Sequence, residues 1–214
     1  MHKLLKLGLI LFTIFVFFSF FVAKNLFVHL DFDSMVKLQN LLGNSPIEFF
    51  SLFSLVGTVE FASLIILVLL AISIKTKRLY VLLFFCLTGA FELLGKVFIS
   101  QIGPPIMFLK TQKIINVPTD YIPHEFFSYP SGHSARTAFI SGILLFVIWF
   151  SPKLSKQFKI GFAICVLSFD FLMFVSRVYL GEHWLSDVVG GALLGFSLAL
   201  LLAHFIAPIK PPKK

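Results

Sequence analysis

The chain predicts an all-α, polytopic membrane protein of six transmembrane helices in a single domain over residues 1–214. Three observations predict it. Hydrophobic residues make up 58% of the sequence and charged residues only 13%, about half the ~25% charged content of soluble domains. Mean hydropathy is +0.96 and there are 29 Phe, more apolar side chain than a water-soluble fold of this length can cover. The apolar residues also fall into six runs, each near the ~20 residues that cross a hydrocarbon core.

The first span lies near 5–24. Lys3 and Lys6 before the run Leu7 to Ala23 look like the start of a secretory leader. The run is long for one, and Val22-Ala23-Lys24-Asn25 offers no small-x-small cleavage site, so a retained first helix is the reading. Residues 25–48 contain Asp31-Phe32-Asp33 and then Met35, Val36, Leu38, Leu41 and Leu42, an amphipathic pattern suited to lying at the interface.

The second and third spans run near 49–74 and 79–101. In the following connection, 102–130, Pro104, Pro105, Pro118, Pro123 and Pro130 prevent a continuous helix. It reads either as a lid or as an inert surface connection. The last three spans lie near 132–151, 159–176 and 186–207, the fifth being shortest and open to extension either way. Cys86 and Cys165 sit inside apolar runs and read as buried packing residues rather than disulfide or metal partners.

Charge placement sets orientation. With both termini inside, the inner segments hold eleven Lys and Arg and the outer segments five; Lys96 and Arg136 fall within spans. This bias predicts cytoplasmic termini. It also argues against a nucleic-acid partner despite the net charge of +8, because the basic residues are spread over short loops.

In that topology Lys96, Pro130-Ser131-Gly132-His133 and Ser176-Arg177 with His183 and Asp187 all come to the outer face. Three sequence-distant polar groups therefore converge at one depth. Asp187 lies four residues after His183, which puts both on one face of a helix. Its carboxylate can hold one ring N–H and leave the other nitrogen as a nucleophile. Arg177 offers a planar fork matched to phosphate oxygens. Ser131 and Gly132 open the fourth span, where unpaired backbone N–H groups form an anion site, and His133 is placed to protonate a leaving oxygen. Lys96 adds a point charge. Nucleophile, phosphate cradle and acid are the parts that phosphoryl transfer requires.

Taken together, Lys96, Pro130-Ser131-Gly132-His133 and Ser176-Arg177-x5-His183-x3-Asp187 resemble the motifs of the type 2 phosphatidic acid phosphatase superfamily, in its membrane lipid phosphatase branch. The resemblance covers residues 96–187, and vanadium haloperoxidases are its remoter members. It implies that His183 forms a phosphohistidine, that Asp187 orients it, and that His133 serves as acid and then base. Lys96, Ser131, Gly132 and Arg177 would bind phosphate, with no metal and no cofactor. The first motif departs from the pattern, which expects Lys-x6-Arg-Pro. Gly103 precedes Pro104 here, and a lost charge-assisted contact is worth roughly 1.5–3 kcal/mol.

Arg136, about one turn beyond His133, is a candidate accessory phosphate ligand; the alternative is a structural pair with Asp170. Lys96 has a rival partner in Glu92, and Glu60, Glu92 and Asp170 read as polar bracing between helices, with Arg136 and Lys96 as their partners, rather than an ion path. Trp184 reads as an anchor, and Asp120, His124 and Glu125 as a solvated loop or headgroup contacts. The expectation is a hydrolase acting on a lipid phosphate or diphosphate at the outer side of a bacterial-type inner membrane. Candidate substrates by resemblance are undecaprenyl diphosphate, phosphatidylglycerol phosphate, phosphatidic acid and lipid A 1-phosphate. Alternatives are a lipid phosphotransferase with the same intermediate, or a non-catalytic lipid-binding protein on this scaffold. The partners expected are membrane lipids and the lipid phosphate itself. A haloperoxidase is disfavoured by the membrane scaffold, and the sequence leaves oligomeric state open.

Overall fold

The computed structural model describes residues 2–72, 77–110 and 127–207. Eight α-helices follow one another among them: α1 His2–Ala23, α2 Val28–Leu42, α3 Ile47–Val56, α4 Val59–Ile72, α5 Arg78–Phe98, α6 Gly132–Phe150, α7 Lys156–Tyr179 and α8 Leu185–Ile206. Helices α1, α5, α6, α7 and α8 are each long and apolar enough to cross a membrane. The fold is an all-helical, multi-pass membrane fold, as the composition requires.

The second predicted span is not one helix. It is α3 and α4, bent by 49° at Gly57-Thr58. The Gly57 carbonyl accepts a 3.0 Å hydrogen bond from Arg136 Nε, and Thr58 Oγ1 donates to the Leu55 carbonyl at 2.9 Å. Backbone groups that would continue the ladder are thus bonded otherwise, and a kink has an identifiable cause. The fifth span, shortest in the sequence reading, extends at both ends to become the longest helix, with 24 residues. Ser155 caps its start by accepting from Phe158 N.

Helices α6 and α8 form the centre. Gly191 and Gly195 lie against the Ser131 and Ala135 carbonyls so closely that a Cβ at either would strike them, and Gly142 on α6 meets Ala199 in the same way. Small residues four apart let two helices approach in an apolar solvent that offers no hydrophobic driving force. Around this pair, Phe15, Ile66, Phe84, Tyr129, Phe139, Leu194, Leu198 and Leu202 form the main core. Tyr129 Oη and Ser19 Oγ share a 2.7 Å hydrogen bond that ties α1 to the α6 entrance.

Helix α2 buries Asp31, Met35 and Gln39, one side chain per turn. It is fastened by polar bonds rather than by apolar contact alone. Asp31 accepts from Ser186 N and Ser186 Oγ, both at 2.7 Å, and Gln39 Nε2 donates to the Phe108 and Tyr179 carbonyls at 2.7 and 2.9 Å. Within the amphipathic segment read from the sequence, then, the buried stripe is carried by two polar side chains flanking Met35. Two further expectations are corrected. Cys86 and Cys165 are exposed, not buried in the protein core. Asp170 does not pair with Arg136; it accepts a 2.6 Å bond from Ser141 Oγ. Ser141 is five residues further along α6 than Arg136, or ~7.5 Å along the axis, which puts Asp170 at the wrong level.

Candidate active site

The site is assembled where α5 ends, α6 and α8 begin, and α7 turns back. Arg177 lies in the last turn of α7. Its carbonyl accepts from both Glu182 N and His183 N at 3.2 Å, so the chain folds tightly around it. Gly181 makes the reversal with φ of +74°, a backbone region that favours glycine. A Cβ there would also run into the Phe108 carbonyl.

His183 stands just before α8, not on it, which corrects the expectation of a shared helical face. Asp187 is in the first turn of α8 and folds back. Its Oδ2 accepts from Trp184 N at 2.9 Å and lies 3.4 Å from His183 Nδ1. The four-residue spacing still joins them, through an N-terminal capping geometry rather than a helix stripe. Asp187 is fully buried, and its carbonyl accepts from Ser131 N at 3.0 Å, which locks the two motifs together.

Ser131 caps α6: its Oγ accepts from Ser134 N at 3.4 Å and shares a 3.2 Å bond with Ser134 Oγ. His133, in the first turn of α6, packs against Gly57 at the α3–α4 break, where a Cβ would collide with it. At Gly132 the Glu92 carboxylate occupies the space a Cβ would take, so a side chain there would have to displace it. The Pro130 ring seats on Gly95, which brings Lys96 beside the same turn.

Glu92 is the residue the sequence reading undervalued. Its Oε2 accepts from Arg136 Nη1 at 2.6 Å, and its Oε1 lies 3.6 Å from Lys96 Nζ. The Arg136 guanidinium is therefore committed to Glu92 and Gly57. An i,i+4 spacing pointed to the Glu92–Lys96 pair, and the Arg136 bond is the interhelical bracing expected of Glu92. Arg177 is similarly engaged, with Nη1 on Ser54 Oγ and Nη2 on the Glu182 carboxylate. Neither partner carried a sequence signal beyond the position of Glu182 next to His183.

Gly103 lies in an extended stretch stitched to the same place. Gln101 Nε2 donates to Ser186 Oγ at 2.9 Å, Gln101 O accepts from Ser128 N at 2.9 Å, and Trp184 Nε1 donates to the Ile102 carbonyl at 2.8 Å. Position 103 thus borders the site and supplies no charge to it. Asp120, His124 and Glu125 lie outside the described residues.

The electrostatics favour an uncharged His183. Burial, then the positive charges of Arg177 and Lys96, hold the His183 imidazole well below its ordinary value of 6.5. At neutral pH it is a free base with Asp187 beside one nitrogen. Among the described residues, no group of three or more His, Cys, Asp or Glu side chains is arranged to hold a metal ion.

Fold and site together define a multi-pass helical membrane protein with a buried histidine–carboxylate pair among guanidinium and ammonium groups. The chain belongs to the PAP2 superfamily, whose family model matches residues 77–210. It is 40% identical to phosphatidylglycerophosphatase B of Bacillus subtilis over 101 residues, 45% of this chain and 49% of that one, so the match spans about half the relative's length. It is 30% identical to undecaprenyl-diphosphatase of Sulfolobus acidocaldarius over 155 residues, 71% of this chain and 68% of the relative. The fold is similar to the crystal structure of a transmembrane PAP2 type phosphatidylglycerolphosphate phosphatase from Bacillus subtilis. There the TM-score is 0.77 and the identity 23%, covering 96% of this chain and 98% of the other. Aquifex aeolicus LpxE superposes with a TM-score of 0.62 at 22% identity, covering 82% and 95%.

Proposed function

We propose that this protein is a membrane lipid phosphatase that hydrolyses a lipid phosphate or diphosphate through a phosphohistidine at His183. The observation that carries the reading is the His183–Asp187 pair: a buried, neutral imidazole 3.4 Å from a buried carboxylate, with Arg177 and Lys96 acting on it.

In the first step, His183 Nε2 attacks the terminal phosphorus and its bond to the leaving oxygen breaks, releasing the lipid alcohol from a monophosphate or the lipid monophosphate from a diphosphate. Asp187 holds the Nδ1 proton and stabilises the positive charge that develops on the ring. His133 donates a proton to the departing lipid oxygen. In the second step, water attacks the phosphohistidine while His133 takes its proton. Inorganic phosphate leaves and His183 returns to its free base. Arg177, Lys96 and the backbone N–H groups at the start of α6 neutralise the equatorial oxygens. With Gly103 in place of an arginine and Arg136 committed to Glu92, the phosphate is held by two cations rather than three.

A site at the helix ends suits a substrate whose chains stay in the bilayer while its phosphate reaches the membrane edge. The charge bias supports cytoplasmic termini and a site on the opposite, outer side of a bacterial-type inner membrane. The names of the relatives support phosphatidylglycerol phosphate and undecaprenyl diphosphate as the first substrates to assay, with phosphatidic acid and lipid A 1-phosphate beside them.

The test is phosphate release by the purified full chain in detergent from this panel, beside His183→Ala and with a chelator. The reading expects release from at least one lipid, abolished in the variant and untouched by chelator. No release from any of them, or chelator sensitivity, overturns it.

A further inference from the structure

We propose that Glu182 is a placeholder for the substrate phosphate on Arg177, and that it screens the site against the phosphodiester headgroups of the surrounding bilayer. The proposal rests on the phosphatase reading above and names a specificity-determining residue for that reaction.

Arg177 is used from two sides. Nη1 is anchored to Ser54 on α3, a buried hydroxyl, and Nη2 is held by the Glu182 carboxylate. The Arg177 side chain is 2% exposed and that of Glu182 is 14%. The carboxylate is therefore the more accessible partner of the pair. A carboxylate and a phosphate present the same pair of oxygens to a guanidinium fork. They cannot share one face of it, since two anions at that distance repel. Glu182 also directly precedes His183, and the backbone N–H groups of both donate to the Arg177 carbonyl, so the ion pair and the nucleophile belong to one tight turn.

Phosphate binding is thus an exchange on Arg177, with Ser54 keeping the guanidinium in place throughout. The exchange leaves the nucleophile undisturbed, because the Glu182 and His183 backbone N–H groups are both held by the Arg177 carbonyl while only the Glu182 side chain needs to turn. In the resting state Glu182 spares the protein an uncompensated buried cation.

The exchange discriminates by charge. A phosphate monoester carries about −1.5 to −2 at pH 7, whereas the phosphodiester of an ordinary membrane lipid carries a single negative charge. Replacing one monoanion by another on Arg177 gains no Coulomb energy; replacing it by a dianion does. The carboxylate therefore holds the site against the abundant diesters and yields to the monoester, which a bare arginine would not do.

The experiment measures equilibrium binding of inorganic phosphate to the detergent-solubilised full chain, and inhibition of lipid phosphate hydrolysis by added phosphatidylglycerol. Glu182→Gln keeps a neutral isosteric acceptor for Arg177, and Glu182→Asp keeps the charge. Binding to Glu182→Gln about tenfold tighter than to wild type, with Glu182→Asp close to wild type, is expected. Phosphatidylglycerol should become a competitive inhibitor of Glu182→Gln only. Unchanged or weaker phosphate binding by Glu182→Gln overturns the placeholder, and tighter binding without new inhibition overturns the screening role. If wild type hydrolyses no lipid phosphate while Glu182→Gln still binds phosphate more tightly, the phosphatase reading fails and the placeholder stands. Normal wild-type turnover with no binding change sinks the placeholder alone.

Discussion

Arg136 Nη1 lies 2.6 Å from Glu92 Oε2, an ion pair between α6 and α5 whose side chains are 9% and 13% exposed. It fixes the level of the α6 N-terminus against the helix carrying Lys96, and through Gly57 it also sets the break between α3 and α4. Removing one partner of such a pair leaves a buried charge uncompensated. Glu92→Ala should lose about 3–5 kcal/mol of stability, read as a fall in thermal unfolding midpoint in detergent. Arg136→Lys can satisfy Glu92 but not the Gly57 carbonyl as well, and should lose about 1 kcal/mol. Its KM for the lipid phosphate should be unchanged, since the guanidinium is held by Glu92 and the Gly57 carbonyl; a raised KM would return Arg136 to the phosphate ligands.

Asp187 tests the orientation of the nucleophile. In Asp187→Asn the amide can still accept from Trp184 N, so the turn survives, but it no longer stabilises a charged imidazole. We expect kcat to fall about 10²–10⁴-fold with little change in KM, measured by steady-state phosphate release. A KM effect with kcat intact would assign Asp187 to substrate binding instead.

The pH profile follows from the lowered pKa of His183. A depressed pKa means the free base persists below pH 6.5 and protonation begins only further down. Log kcat/KM should therefore stay level as pH falls through 6.5 and bend downward only at lower pH. The same sign applies to stability. The unfolded chain binds this proton more readily, so the His183 contribution is fully present above 6.5 and is lost as pH falls below it. An acid limb centred at or above 6.5 would contradict the buried, cation-flanked setting.

The fold was largely legible because its signals are local. Apolar run lengths marked the spans, and the motif spacing marked His133, Arg177, His183 and Asp187. What stayed hidden depends on contacts between distant segments. The α3–α4 break needs the Gly57 carbonyl to meet Arg136, 79 residues away. Arg136 has two carboxylate-bearing helices as sequence-level candidates, and only the helix levels decide for Glu92 over Asp170. The contact of the Glu92 carboxylate with Gly132 is likewise one that no one-dimensional pattern reports.

Asp31 belongs to the same hidden class. From α2 it accepts from Ser186 N and Oγ, satisfying a first-turn donor of α8 close to His183 in the chain. Burial raises its pKa, the Ser186 bonds oppose this, and the Asp187 charge raises it further. Asp31→Ala should lose roughly 1.5–3 kcal/mol, seen as a lower unfolding midpoint. Amide exchange should also be faster in the first turn of α8. Unaltered exchange there would show that α2 merely covers the site.

The central claim is that His183 carries the phosphoryl group, and trapping it is the most direct test. The full chain would be mixed with a hydrolysed lipid phosphate, quenched rapidly under alkaline conditions, digested and read by peptide mass spectrometry. The account predicts a phosphoryl adduct on His183 that is absent from His183→Ala. An adduct on another side chain, or undiminished turnover by His183→Ala, would contradict it.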